Sequence, residues 1–200
     1  EEEFRIGCMC SLRSLELHEG LNRYFGGVFR ECTKGIVGVQ FRNGATVGGS
    51  VFGRYGFSDI LTCMMMLDAQ VELYRRGRIS LEEFAKLPYD RDILVQVILK
   101  KDGRRAAYTS SRRSKTDFPM IACGVAKKGD SWYVSVGARP AKAALCVLPD
   151  GKETVQELAE KAAEAFTYGD NMRAGGEYRK YLAQVSIRRL MEQISREEEK

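Results

Sequence analysis

The residues best placed to do chemistry lie in the run Ala45-Thr46-Val47-Gly48-Gly49-Ser50, followed by Gly53 and by Ser58-Asp59. Two adjacent glycines behind a β-branched pair let the main chain approach a ligand closely, present free N–H groups and adopt positive φ. Those are the requirements for cradling a pyrophosphate. Asp59, thirteen positions after Thr46, adds a carboxylate able to accept hydrogen bonds from ligand hydroxyls. The same residues also read as a strand end, a Gly-Gly turn, and a Ser58 or Asp59 helix cap before the apolar run from Ile60 to Leu67.

Other chemistries find little support. His18 is the one histidine and stands before Glu19-Gly20 at what reads as a helix end, so a capping or surface role fits it. Ser-His-Asp, Cys-His and histidine-metal chemistry are correspondingly poor. The six cysteines, at 8, 10, 32, 63, 123 and 146, sit in mostly apolar surroundings and are expected as buried free thiols. Cys8-Met9-Cys10 lacks the partners of an iron–sulfur or zinc site, and no C-x-x-C occurs, so no metal site is expected. The net charge of +5 is spread rather than striped. Arg75-Arg76-Gly77-Arg78, Arg104-Arg105 and Arg112-Arg113 fall beside turns and read as solvated loops or a docking face, and nucleic acid is not an expected partner. No apolar run approaches the roughly 20 residues that span a bilayer, so no membrane association is expected, and no export signal is visible. The composition is that of a soluble, cytoplasmic protein with room for one large or two small domains.

The elements that must position these groups divide near Asp102-Gly103. A strand from Phe4 to Cys8 leads through Ser11, a plausible N-cap, into a helix carrying Leu12, Leu15 and Leu17. Gly26-Gly27 marks a loop, and a second helix covers Val28 to Cys32. After the Met-rich helix, Gln70 to Tyr74 alternates as a strand and Arg76-Gly77 turns. Ser80 then caps a short helix, and Ile93 to Leu99 is an apolar strand. Asp102-Gly103 is a hairpin signal towards Arg105 to Ser110 and also the junction with a second domain. Gly129-Asp130 joins strands Met120 to Ala126 and Trp132 to Ala138, and Ala143 to Leu148 adds another. Helices follow, with Val155, Leu158, Ala162 and Phe166 on one face and Tyr181, Leu182, Val185 and Met191 on the other's. Glu1-Glu2-Glu3 and Glu197-Glu198-Glu199-Lys200 read as solvated charge runs.

The longer string of Arg42-Asn43, Ala45 to Ser50, Ser58-Asp59-Ile60-Leu61 and Leu67-Asp68-Ala69 resembles the FAD-binding subunit of the molybdenum hydroxylases, the xanthine dehydrogenase and carbon monoxide dehydrogenase flavoproteins. Matching segments keep their order along nearly the whole chain. Ile6 to Glu16 looks like the family's strand-to-helix entry, and Asp170 to Ala174 with Glu177-Tyr178-Arg179-Lys180 looks like its closing helix. The resemblance implies an α+β fold. Residues 1–102 would be the second subdomain of a PCMH-type FAD-binding domain, and residues 103–200 a small C-terminal domain of antiparallel sheet covered by helices.

What the resemblance implies further is a cofactor, FAD, packed against a loop at Thr46 to Ser50 with Asp59 close behind. Ile36 and Val37 would pass near the isoalloxazine ring and Leu94 would lie near the cofactor. Arg54 and Tyr55, flanked by Gly53 and Gly56, would contact the ring edge or a partner, or form a surface loop. Molybdopterin and 2Fe-2S centres would reside on partner chains, a molybdopterin-binding large subunit and an iron–sulfur small subunit, with electrons passing to NAD or another acceptor. No catalytic side chain is nominated. The family's subdomain ahead of the first strand, with its own glycine loop, has no counterpart here, and its lysine near the flavin aligns with Thr109 or Ser110. A flavin-free module that docks the molybdenum and iron–sulfur subunits is the rival reading. A stand-alone oxidase of the vanillyl-alcohol oxidase type is a more distant one.

Overall fold

Small residues decide how the layers of this molecule approach one another. A computed structural model describes residues 2–198. The chain runs β1 (Glu3–Gly7), α1 (Leu12–Leu17), α2 (Glu19–Tyr24), α3 (Val28–Thr33), α4 (Val39–Gly44), α5 (Val47–Phe52), α6 (Asp59–Met66), β2 (Gln70–Leu73), β3 (Gly77–Ser80), α7 (Leu81–Lys86) and β4 (Leu94–Lys100). It continues through β5 (Arg105–Ser111), β6 (Ile121–Lys128), β7 (Ser131–Gly137), β8 (Ala144–Pro149), α8 (Val155–Glu164) and α9 (Gly176–Glu198). The strands form two four-stranded antiparallel sheets, ordered β1-β4-β2-β3 and β5-β6-β7-β8. The fold is α+β, as expected. No described helix is long and apolar enough to cross a membrane.

In β6, Ile121, Cys123 and Val125 face one core while Ala122 and Ala126 face the other, the alternation of a strand buried on both sides. The face of small residues is where α6 arrives. A Cβ on Gly124 would stand 2.5 Å from Met66 Sδ, and Ser135 Oγ donates to Thr62 O at 2.7 Å. The other face of this sheet carries α8 and α9, with Trp132, Ile187 and Met191 fully enclosed. All eight residues of α6 are buried, and its three methionines fill the gap between the sheets, as flexible thioethers can.

Capping explains most helix starts. Ser11, Thr46, Ser58, Ser80 and Thr154 each accept from an amide three residues on, which satisfies a donor the helix leaves open. His18 Nδ1 does the same for α2 by accepting from Leu21 N at 3.1 Å. His18 is thus a cap, at a helix start as well as a helix end.

Several expectations are corrected. Asp102-Gly103 makes no hairpin, because β4 pairs with β1 and β2 while β5 pairs with β6, so this link changes sheets. The hairpin at Gly129-Asp130 forms, with Gly129 at φ 51°. Of the stripe expected on α9, Met191 is buried and Leu182 packs against the core, but Tyr181 is exposed and the buried face runs through Ala183, Ile187, Leu190 and Ile194. Arg179 sets that rotation by turning inward to donate to Ala138 O at 2.6 Å. Cys32, Cys63 and Cys123 are buried as expected, but Cys8 and Cys146 are half-buried and Cys10 is exposed, with Cys8 and Cys10 lying on the turn after β1. Glu3 is not merely solvated, since it pairs with Arg78 at 2.5 Å. Glu1, Glu199 and Lys200 lie outside the described residues.

Candidate functional site

The Gly-Gly segment is a helix start, not an open loop. Thr46 is the N-cap of α5, and its Oγ1 accepts from Gly49 N at 3.0 Å. The two amides ahead of that are also occupied. Val47 N donates to Cys10 O at 2.9 Å and Gly48 N to Cys8 O at 2.8 Å. Neither glycine has positive φ. The expected row of free amides is therefore spent on the turn after β1, and the reason for glycine at 48 is packing. A Cβ there would sit 2.7 Å from Cys8 O. Gly48→Ala is expected to cost about 1–3 kcal/mol through that clash with backbone. Gly49→Ala, which meets only the Thr46 hydroxyl at 3.2 Å, should cost clearly less. Urea midpoints of the two variants check the order.

In front of α5 opens a cleft of about 530 Å³. It collects Ile36, Val37, Ala45, Thr46, Gly49, Ser50 and Asp59 from the expected site residues. Val47, Gly48 and Leu94 do not line it; Leu94 begins β4 opposite Leu73 and is buried in the core of the first sheet. One wall is an aromatic shelf. Tyr55 and Phe57 stack at 5.2 Å with their rings nearly parallel, and Phe118 closes on Phe57 at 4.4 Å. Glycine makes the shelf possible, because a Cβ at Gly56 would meet Ala141 O at 2.9 Å. Arg54 leaves the cleft altogether. At φ 46° it turns inward, donates to Leu87 O at 2.8 Å and lies over Tyr89, so it contacts no ring edge of a ligand.

The floor is polar and buried. Asp59 Oδ1 accepts from Tyr108 Oη at 2.6 Å and from Arg112 Nη2 at 2.5 Å. Burial pushes the Asp59 carboxyl above its usual range, with the Arg112 charge and the Tyr108 hydrogen bond pulling the other way. Burial also drives the Tyr108 hydroxyl well above its usual value, helped by the Asp59 charge, so Tyr108 stays a donor. Arg112 donates as well to Ser110 Oγ at 3.2 Å and to Asp117 O, pinning the 112–118 segment that carries Phe118. Its side chain is 9% exposed, which corrects the reading of Arg112 as a solvated loop residue. Arg104 is corrected likewise, being fully enclosed. Arg112, and not a residue at 109 or 110, is the cation of the cleft.

At the mouth, Val37 has φ 44°, costly for a β-branched residue. Arg42 holds it there, donating Nη1 to Ile36 O at 2.9 Å and to Val37 O at 3.3 Å while its Nε binds Glu16 at 2.9 Å. Tyr55, one of the two residues expected at a ring edge, does line the cleft, whereas Phe57, Tyr108, Arg112 and Phe118 are the residues that sequence reasoning missed. Tyr55 and Phe57, on either side of Gly56, were the one local signal for the shelf. Tyr108 and Arg112 reach Asp59 of α6, and Phe118 reaches Phe57, only through the packing of the second sheet.

The arrangement can hold a planar ring against the shelf and offer Asp59, Thr46 and Ser50 to hydroxyl groups at its edge. Among the described residues no group of three or more His, Cys, Asp or Glu can hold a metal ion. The sequence model of the FAD binding domain in molybdopterin dehydrogenase matches residues 1–101. The protein YgfM of Escherichia coli is 25% identical over 186 residues, 92% of this chain and 70% of its own. Quinoline 2-oxidoreductase from Pseudomonas putida 86 superposes with a TM-score of 0.82 at 15% identity, covering 96% of this chain and 75% of that one. Carbon monoxide dehydrogenase from Hydrogenophaga pseudoflava gives a TM-score of 0.81 at 19% identity with the same coverage. These likenesses are of fold. With half the sequence matched by the family model, this chain belongs to the family of FAD-binding domains of molybdopterin dehydrogenases.

Proposed function

We propose that the chain is the FAD-binding electron-transfer component of a molybdopterin-dependent dehydrogenase. Residues 1–102 form its FAD-binding unit and 103–200 its C-terminal unit, and partner subunits carry the molybdopterin and the iron–sulfur centres. Electrons leave to NAD or another acceptor. The observation that carries this reading is the cleft, where an aromatic shelf faces a buried Asp59 within a domain of FAD-binding family. FAD, when bound, supplies the two-electron to one-electron redox chemistry that no side chain here can perform. The chain's own part is positioning and electrostatics. Tyr55, Phe57 and Phe118, with Ile36 and Val37, would hold a planar ring and exclude water from it. Asp59, Thr46 and Ser50 would orient the hydroxylated chain. Arg112, paired with Asp59, would border the ring as a hydrogen-bond donor whose charge is largely balanced.

The flavin-free assembly module has one observation in its favour, the occupied amides of Val47, Gly48 and Gly49. The absorption spectrum of the protein purified from its native host, before and after addition of FAD, separates the two. Flavin bands, released as FAD on denaturation, support the electron-transfer component. A protein that stays colourless with added FAD leaves the assembly module. In the first case Phe57→Ala is expected to weaken FAD binding about tenfold, from the loss of one aromatic face worth about 0.5–1.5 kcal/mol beyond its buried area. Unchanged affinity would remove the shelf from the site.

A further inference from the structure

Behind Arg112, as seen from the aromatic cleft, lies a second cavity of about 630 Å³ that shares Gly35 and Arg112 with the first. Arg112, against Gly35, borders both. A Cβ on Gly35 would fall 2.9 Å from Arg112 Nε, so glycine at 35 lets the guanidinium lie flat against the chain and serve both cavities.

The second cavity is strongly basic. Lys34, Arg42, Arg112, Arg113 and Lys115 line it, against Glu31 as the one acidic lining residue. Three of those cations have carboxylate partners. Arg42 pairs with Glu16 at 2.9 Å, Arg112 with Asp59 at 2.5 Å, and Lys34 with Glu31. Arg113 donates only to the neutral carbonyl of Arg173 at 2.9 Å. Among the described residues, neither Arg113 nor Lys115 forms an ion pair with a carboxylate. The hydroxyls of Thr109, Ser110 and Ser114 complete the lining. Two uncompensated positive charges over a concave, hydroxyl-bearing surface match the charge and hydrogen-bonding demand of a phosphate monoester or diester.

The neighbouring cleft supplies the complementary half of the argument. It offers an aromatic shelf, but the amides of the α5 start that would have taken a phosphate are bound to Cys8, Cys10 and Thr46. The uncompensated positive charge bordering the cleft is in the basic cavity. We infer that this cavity is an anion subsite that takes the phosphate of an organic phosphate ester bound on or beside the aromatic shelf of Tyr55, Phe57 and Phe118. That ester is either the flavin cofactor itself or a second nucleotide that meets it. The inference rests on the proposed function only for the flavin as one of these two sources.

The test is the double variant Arg113→Gln/Lys115→Gln, both residues being exposed and outside the core, titrated with riboflavin, FAD and ADP at low and high salt. ADP is added both to the bare protein and to protein loaded with flavin. The expected result is a loss of about tenfold in affinity for a phosphate-bearing ligand, shrinking as salt rises, with riboflavin unmoved. A loss confined to FAD identifies the flavin's own phosphates as the occupant. FAD affinity unchanged with ADP affinity lowered identifies a second phosphate ester. Arg113→Lys/Lys115→Arg, which keeps both charges, should restore wild-type affinity. FAD and ADP both unmoved, or riboflavin lost in parallel, overturns the inference. If no flavin binds at all, the proposed function falls, and ADP alone decides the subsite: binding absent or unmoved by the double variant overturns it.

Discussion

Asp59→Ala is expected to lose about 3–5 kcal/mol of stability, because it strands the Arg112 guanidinium without the carboxylate that faces it in a nearly dry site. Tyr108 Oη loses its acceptor in the same step. Asp59→Asn should be milder, at about 1–3 kcal/mol, since an amide oxygen can still accept from Tyr108 and Arg112. Beyond stability, Asp59→Ala should free the 112–118 segment, which Arg112 ties to the floor through Asp59 and Asp117. Denaturant unfolding gives the order of the two variants, and amide exchange of residues 113–118 reports the release. Equal stabilities for Ala and Asn would show that Arg112 finds another counter-charge and that Asp59 is not its anchor.

The second large effect is expected at Arg104, which is 2% exposed. It stands where the chain leaves one sheet for the other. It donates to Asp102 through Nε at 2.9 Å and Nη2 at 2.6 Å, and to Met66 O at the end of α6 at 3.1 Å. Its guanidinium also lies over the Tyr133 ring at 4.7 Å. Arg104→Ala removes a large enclosed side chain and leaves Met66 O and Asp102 partly unsatisfied, a loss of about 3–5 kcal/mol. Lysine cannot reproduce the fork that reaches Asp102 and Met66 together, so Arg104→Lys should recover less than half of it.

Asp102 makes the pH dependence of this hub testable. Burial alone would raise its carboxyl, but the hydrogen bonds and charge of Arg104, joined by Lys128, hold it down at about 2 against an ordinary 3.8. A folded-state value below the unfolded one means that the unfolded chain binds the proton first. The contribution is therefore complete above 3.8 and lost as pH falls through about 2. The stability difference between wild type and Asp102→Asn should accordingly be largest near neutrality and shrink across that window. A difference that stays constant into acid would mean that Asp102 acts by shape and not by charge.

Much of the local structure was legible in the sequence. The serine caps, the apolar α6 run, the Gly129-Asp130 hairpin and the alternating strands are short-range properties, set by hydrogen-bonding side chains and side-chain period within a few residues. The resemblance to the flavoprotein family likewise rests on residues in sequence order, and residues 1–101 match the family model. What failed did so where distance along the chain mattered. Asp102-Gly103 carries the local signature of a hairpin, yet β4 lies between β1 and β2, a choice made by the apolar faces of three separated strands.

The sequence by itself determined a glycine-rich segment with a carboxylate close behind it, because those features are written in local residue types, and its resemblance to the flavoprotein family supplied the α+β class. Only the tertiary structure decided what they do. The turn after β1 consumes the amides that the Gly-Gly pair was expected to offer. The packing of α6 against the second sheet brings Tyr108 and Arg112 to Asp59 across 49 and 53 positions of chain. Arginines that look solvated in a list of residues become buried anchors because carboxylates and carbonyls from distant segments are waiting for them, and no local pattern encodes where those partners stand.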